Sequence, residues 1–252
     1  LSDQTKSAVS GAVPEGASDA QSAANAVREM FTSIAPRYDL LNHVLSLHVD
    51  QLWWRKTARV FAHILSRPGA RVLDLCCGTG DMAFALLRQA GKSSPAILGV
   101  DFSRAMLQRA RQKSGAASLL RWVEADALRL PFPSAHFDLV VSAFGFRNLA
   151  NYDAGLREIM RVLRPGGECG ILDFGEPQGA IGKVYRVYFK HVLPALGTLI
   201  SGVQGPYAYL PASVARFPQP EELLDRMRDT GWLEASWSPY TFGIAGLYRA
   251  RK

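Results

Sequence analysis

The chain has 252 residues, enough for one domain with a sizeable core, and its 48% hydrophobic content is ordinary for a globular protein. A formal net charge of +7 suits an anionic partner such as nucleic acid, an acidic membrane surface or an acidic small molecule, although the Lys and Arg residues are dispersed and serve solubility equally well. Cys76, Cys77 and Cys169 have neither metal-ligand nor convenient disulfide spacing, and no apolar run reaches the roughly 20 residues of a membrane span, so these features argue against a disulfide framework and a transmembrane anchor and for a cytoplasmic compartment.

Residues 1–20 are small, polar and acidic without apolar period, which predicts a disordered tail; the rest, 21–252, reads as a single domain. From Ala23 to Leu65 the spacing is helical, with Val27, Met30, Phe31 and Ile34 on one face and interruptions at Pro36 and Asn42. Beyond Pro68-Gly69 the rhythm changes. Strands are predicted at Arg71–Leu75, Ala96–Asp101, Leu119–Glu124, Phe137–Ala143 and Glu168–Phe174. Helices fall between them at Asp81–Ala90, Ser103–Lys113 and Tyr152–Leu163, the last ended by Pro165-Gly166-Gly167. This alternation calls for a parallel sheet wrapped on both faces, a doubly wound α/β fold. Residues 176–219, rich in Tyr, Phe, Gly and Pro, read as an insertion folding over the site. A helix at Pro220–Thr230 and strands near Trp232–Trp237 and Thr241–Arg249 complete the pattern.

The chemistry concentrates in the turns after the strands. Asp74-Leu75-Cys76-Cys77-Gly78-Thr79-Gly80 links the first strand to a helix, and Gly78 and Gly80 let the backbone approach a ligand closely. Such a Gly-x-Gly alone is also any tight βα turn. Asp101-Phe102 ends the second strand, where a carboxylate can accept from both ribose hydroxyls of an adenosine cofactor. Its competing role is helix capping, which Ser103 can perform instead. A nicotinamide dinucleotide needs a third glycine for its pyrophosphate, and Asp-x-Cys-x-Gly-x-Gly lacks it. Asp74, six residues before Gly80, sits where a methyltransferase loop carries its acid, so S-adenosylmethionine is the expected cofactor. After the third strand, Asp126 can accept from an adenine amino group while Ala127 leaves room for the ring; an exposed acidic turn is the alternative.

With these elements in order the chain resembles class I methyltransferases over residues 71–249. The stretches Met30-Phe31-Thr32-Ser33-Ile34-Ala35-Pro36-Arg37-Tyr38-Asp39-Leu40-Leu41-Asn42, Phe144-Gly145-Phe146-Arg147-Asn148 and His191-Val192-Leu193-Pro194 narrow the resemblance to the ubiquinone/menaquinone biosynthesis C-methyltransferase family. Arg161-Val162-Leu163-Arg164-Pro165-Gly166-Gly167 fits too but is shared by many methyltransferases. The resemblance implies cofactor contacts at Thr79, Asp101, Asp126, Ala127 and Ser142, beside Asp74, Gly78, Gly80 and Phe102. Cys76 departs from the pattern, standing where many methyltransferases have their first glycine, and Asp126 stands where some members have Asn.

The activity implied is methylation of a ring carbon of a prenylated hydroquinone, with demethylmenaquinol as the first expectation and ubiquinone or phylloquinone precursors also open. Such a carbon becomes nucleophilic when the neighbouring phenol, whose ordinary pKa is near 10, loses its proton. A held cation stabilises the phenolate, and Arg147 is placed for that role, with Asn148 positioning the hydroxyl; a structural ion pair is the competing reading of Arg147. The proton leaves through water, Tyr38, Asp39 or His43. The five histidines show no metal-ligand spacing, so no metal is expected. A transient contact with an anionic membrane surface follows from the substrate, through Lys183, Arg186 and Lys190 interleaved with Tyr185, Tyr188 and Phe189; a packed inner lid face is the competing reading of those aromatics. The expected location is therefore cytoplasmic and peripheral to the membrane, with a homodimer left open and no nucleic acid expected. Methylation of another small molecule or RNA, and a non-catalytic assembly protein holding cofactor or quinone, are the alternatives.

Overall fold

The computed structural model describes residues 11–12, 14, 17–39, 46, 48–93, 95–115, 119–177, 179, 182, 185, 188 and 206–252. Helix α1 (Ala20–Ile34) starts at Asp19, which forms a reciprocal capping box with Ser22. Helix α2 (Val49–Val60) and a short turn at Ala62–Leu65 lead into the sheet. Strands β1 (Arg71–Leu75), β2 (Ala96–Asp101) and β4 (Phe137–Ala143) run as buried apolar segments, as strands covered on both faces must. With β3 (Leu120–Glu124), β5 (Leu163–Phe174), β6 (Leu233–Tyr240) and β7 (Ala245–Arg251) they form one sheet in the order β3-β2-β1-β4-β5-β7-β6. The first five strands are parallel to one another, and β7 is antiparallel to both β5 and β6.

Helices α3 (Asp81–Ala90) and α2 cover one face through Met82, Leu86, Trp53 and Trp54. Helices α5 (Tyr152–Val162) and α7 (Pro220–Asp229) cover the other through Leu156, Ile159, Leu223 and Met227. Helix α4 (Arg104–Ser114) joins β2 to β3. The strand order reverses between β1 and β4, so crossovers leave this point in opposite directions and open a crevice at the carboxyl ends. The expected doubly wound sheet is therefore present.

Two local expectations change. Pro165-Gly166-Gly167 does not end a helix before a later strand; it lies inside β5, which begins at Leu163. There the backbone is satisfied by the chain end, Gly166 donating to the Lys252 carbonyl and Lys252 N to the Gly167 carbonyl, while the β4–β5 register slips between Phe137 and Leu139. In the predicted disordered tail, Ala12 is 4% exposed and its N–H donates to the Leu149 carbonyl at 2.8 Å, so this piece is held by a backbone hydrogen bond. Of the insertion, helix α6 (Pro206–Arg216) packs Leu210 and Val214 beside Tyr185, Tyr188 and Phe174.

Candidate active site

A cavity of about 370 Å³ opens at the carboxyl ends of β1 to β5. It is walled by Tyr38 and Phe31 from the N-terminal helices, the glycine turn, the ends of β2, β4 and β5, and Tyr185, Tyr209 and Leu210 of the insertion. The sheet order divides it. Ends of β1, β2 and β3 build one half, and ends of β4 and β5 with the insertion build the other.

In the first half the turn is left-handed at Gly78 (φ 54°) and Gly80 (φ 91°). A Cβ on Gly80 would sit 2.4 Å from Cη2 of Trp122, so that position requires glycine. A Cβ on Gly78 would find only the Tyr38 ring, at 3.8 Å, and would project into the cradle. Cys76 also takes positive φ (55°), the strained equivalent of the glycine it replaces. Burial pushes its thiol well above the ordinary value.

Asp101 lies beneath Gly78, but it is not free of backbone partners as the sequence suggested. Gly78 N donates to its Oδ2 at 2.8 Å and Ser103 N to its Oδ1 at 2.9 Å, while Ser103 caps α4. The Phe102 N–H is a third backbone donor to this carboxylate. Burial pushes the Asp101 carboxyl up to about 6, opposed by those N–H donors. Asp74 is fully buried. Its Oδ2 accepts from Ala83 N at 2.9 Å and its Oδ1 has no partner among the described residues. Burial holds this carboxyl well above the usual range. Phe102, Asp126 and the buried Ala127 line the same half. Thr79 Oγ1 donates to Asp39, and Lys113 Nζ reaches Asp39 at 3.1 Å and Asp81 at 2.7 Å. Ser142 is buried, its Oγ without a partner among the described residues, and Ala143, Phe144 and Gly145 after it line the cavity.

In the second half Arg147, 5% exposed, donates through Nη1 to Asp173 Oδ1 at 2.9 Å and to the Phe144 carbonyl. Its backbone N–H reaches Asp173 Oδ2 at 3.1 Å, and its guanidinium lies 5.1 Å from the Phe174 ring centroid. The Nε–H has no partner among the described residues. Arg147 is thus not a lone cation but half of a buried ion pair. Burial pushes the Asp173 carboxyl up, and Arg147 pulls it back down. Asn148 Oδ1 accepts from the Tyr209 hydroxyl at 3.1 Å. Trp53 packs 5.7 Å from Phe144 and donates to Thr241 Oγ1.

Of the expected proton carriers, Tyr38 lines the cavity over Gly78, whereas Asp39 is withdrawn from the wall into the Lys113–Thr79 network, where two donors hold it. His43 lies outside the described residues. Sequence reasoning missed Asp173, Trp53 and Lys113. A lone acid in the apolar run Gly170-Ile171-Leu172-Asp173-Phe174 was the available signal, because a buried charge requires a partner.

An open α/β sheet in this order, with a glycine turn after β1, a carboxylate at the end of β2 and no third glycine, is the class I methyltransferase architecture. The "[4+2]-cyclase SpnF" superimposes with a TM-score of 0.66 at 18% identity, covering 97% of this chain and 98% of that one. A Thermotoga maritima protein described as a SAM-dependent methyltransferase, possible histamine N-methyltransferase, gives 0.62 at 18% identity, over 89% and 99%. The chain belongs to the ubiE/COQ5 methyltransferase family, which matches residues 18–252. It is 52% identical to the demethylmenaquinone methyltransferase of Deinococcus radiodurans, covering 91% of this chain and 94% of that protein. It is 49% identical to the Thermus thermophilus protein of the same name, over 87% and 98%, and 43% identical to the ubiquinone/menaquinone biosynthesis C-methyltransferase UbiE of Geobacter sulfurreducens, over 90% and 88%. It is a methyltransferase whose cofactor is S-adenosylmethionine.

Proposed function

We propose that this chain methylates a ring carbon of a prenylated hydroquinone, demethylmenaquinol first among them. The glycine cradle, Asp101, the unfilled Asp74 Oδ1 and the small Ala127 fit S-adenosylmethionine, with Gly78, Thr79, Gly80, Phe102 and Asp126 around it. Bound there, it supplies an electrophilic sulfonium methyl group. The observation that carries the substrate reading is Arg147. Arg147 is among the residues lining the cavity, and its guanidinium is oriented by Asp173 and the Phe144 carbonyl. A cation so fixed stabilises a phenolate where charge develops and needs no reorganisation to do it. Asn148, held by Tyr209, positions the hydroxyl. Orientation of the two reacting carbons supplies much of the rest. The relatives named as demethylmenaquinone methyltransferases support the same substrate. A transient contact with the anionic face of the membrane belongs to this reading, since the substrate resides there.

The test is incubation with labelled S-adenosylmethionine and a panel of reduced and oxidised prenylated quinones, read by mass spectrometry. Label should enter the reduced demethylmenaquinol and not its oxidised form, which has no phenol to ionise. Arg147→Lys should retain cofactor affinity and lose most turnover. Equal labelling of both redox forms, or full turnover in that variant, rejects the reading.

A further inference from the structure

The turn between β6 and β7 holds an aromatic ring in an unfavourable place. Thr241, Phe242 and Gly243 all take left-handed backbone, at φ 45°, 59° and 89°. Gly or Asn meets such a demand with little strain, whereas a β-branched or aromatic residue there costs stability. Burial of the ring would offset that cost, but Phe242 is 75% exposed, more than any other large apolar side chain among the described residues. Neither packing nor turn chemistry accounts for it, and a strained residue held outward calls for a contact outside the chain.

The turn is fixed from both sides. Tyr240 before it is buried, and Gly175 N donates to the Ile244 carbonyl after it, at 3.0 Å. Trp53 Nε1 donates to Thr241 Oγ1 at 2.8 Å, and Lys56 Nζ lies 3.9 Å from the Tyr240 ring centroid, so α2 is bound to its flank. Thr241 and Ile244 line the cavity and Thr241 is also exposed, which sets Phe242 at the cavity rim.

The neighbouring face of α2 narrows the partner. Leu52, Arg55, Lys56 and Arg59 are exposed and spaced i, i+3, i+4 and i+7, one stripe of the helix. Leu52, 58% exposed, heads the stripe and the rest is cationic, while Asp50, the one acid of α2, is buried. Arg55 and Arg59 share a groove with Arg88 of α3, and the acid in that groove, Asp81, pairs with Lys113. Apolar tips flanked by cations suit the boundary of an anionic bilayer, where rings reach the acyl chains and cations meet phosphate. A two-fold contact between copies of this chain would instead bring two sets of these cations together.

We infer that Phe242 and Leu52, flanked by Arg55, Lys56 and Arg59, dock the cavity rim onto an anionic lipid bilayer. This rests on the membrane contact of the quinol reading above and adds a surface separate from residues 183–190. Docked in this way, the cavity opens against the layer that holds a prenyl tail.

Sedimentation of the full chain with phosphatidylcholine vesicles, with and without phosphatidylglycerol, tests the docking. Phe242→Asn suits the left-handed backbone, so its melting temperature should hold or rise. Its partitioning to anionic vesicles should nevertheless fall about 10-fold, the lower end of what burying a Phe side chain contributes. Arg55→Gln with Arg59→Gln should lose about 30-fold at low salt and little at high salt. Phe242→Trp should bind as wild type does, and brominated acyl chains should quench the emission that it adds. Wild type that ignores anionic vesicles, unchanged partitioning in Phe242→Asn, or added emission that brominated chains leave unquenched overturns the inference. So does lipid-free dimerisation that Phe242→Asn abolishes, which would assign the patch to a second copy. No quinol is present in these measurements, so wild-type inactivity toward every quinol is a different failure and sinks the substrate reading alone.

Discussion

With the ribose contact proposed for it, Asp101 would couple cofactor binding to pH. Its carboxyl is pushed up to about 6 by burial in the free protein, and ribose hydroxyls favour the charged form. Affinity for S-adenosylmethionine should therefore be full above this value, fall as pH drops through it, and be accompanied by proton release when binding is measured near it. Calorimetry in buffers of different ionisation enthalpy reads both. Asp101→Asn should remove the pH dependence and weaken binding roughly 10- to 100-fold, the equivalent of about 1.5–3 kcal/mol for a charged hydrogen bond. The Arg147–Asp173 pair gives a second test at this scale, since its side chains are only 6% and 0% exposed. Removing one partner strands a buried charge, at a cost of about 3–5 kcal/mol. Asp173→Leu should lower the melting temperature on the order of 10 °C. Arg147→Met with Asp173→Leu should recover most of that loss but not turnover, separating the structural role of the pair from its chemical one. Arg147 and the glycine turn were legible in the sequence because each lies in a compact motif. Asp173 was not, because the two residues meet only through the register that sets Ala143 beside Leu172.

Elements were legible where local and global signals agree. Strands β1, β2 and β4 have the limits their apolar runs predict, bounded by the turns at Cys76, Phe102 and Phe144. The start of β5 was misread because Pro-Gly-Gly signals a break locally, while its backbone partners lie at the far end of the chain, at Lys252. The same remoteness hid how the N-terminal arm is fastened. Lys113 at the end of α4 bridges Asp39, which follows α1, to Asp81, which opens α3. This places Tyr38 over the glycine turn. Exposed ion pairs contribute up to about 1 kcal/mol each. Lys113→Met should therefore weaken cofactor binding roughly 3- to 10-fold, chiefly through faster dissociation. Stopped-flow release measured at low and high salt checks this: the wild type should approach the variant as salt rises, and a salt-independent difference would assign the effect to packing instead.

At the scale of the whole molecule the problem is delivery. A prenylated quinol resides in the bilayer, yet no helix among the described residues is long and apolar enough to cross it. On the proposed reading, contact is made at the surface and reversed. Residues 183–190 alternate cations with apolar side chains, and two of the aromatics, Tyr185 and Tyr188, line the cavity. The proposed adhesion of this segment therefore rests on the cations Lys183, Arg186 and Lys190 and on the overall charge of +7. Each cation near an anionic headgroup layer contributes about 1 kcal/mol, so three together amount to more than 100-fold in partitioning at low salt. Sedimentation with vesicles should show wild type bound to anionic lipid at low salt, released at high salt, and indifferent to neutral lipid. With Lys183, Arg186 and Lys190 all changed to Ser, binding should fall by that order while turnover on a detergent-dispersed quinol persists, because these side chains act before the chemistry. Wild type that ignores anionic vesicles at low salt would show that the substrate reaches the cavity by another route, and the insertion would then act as a cover alone.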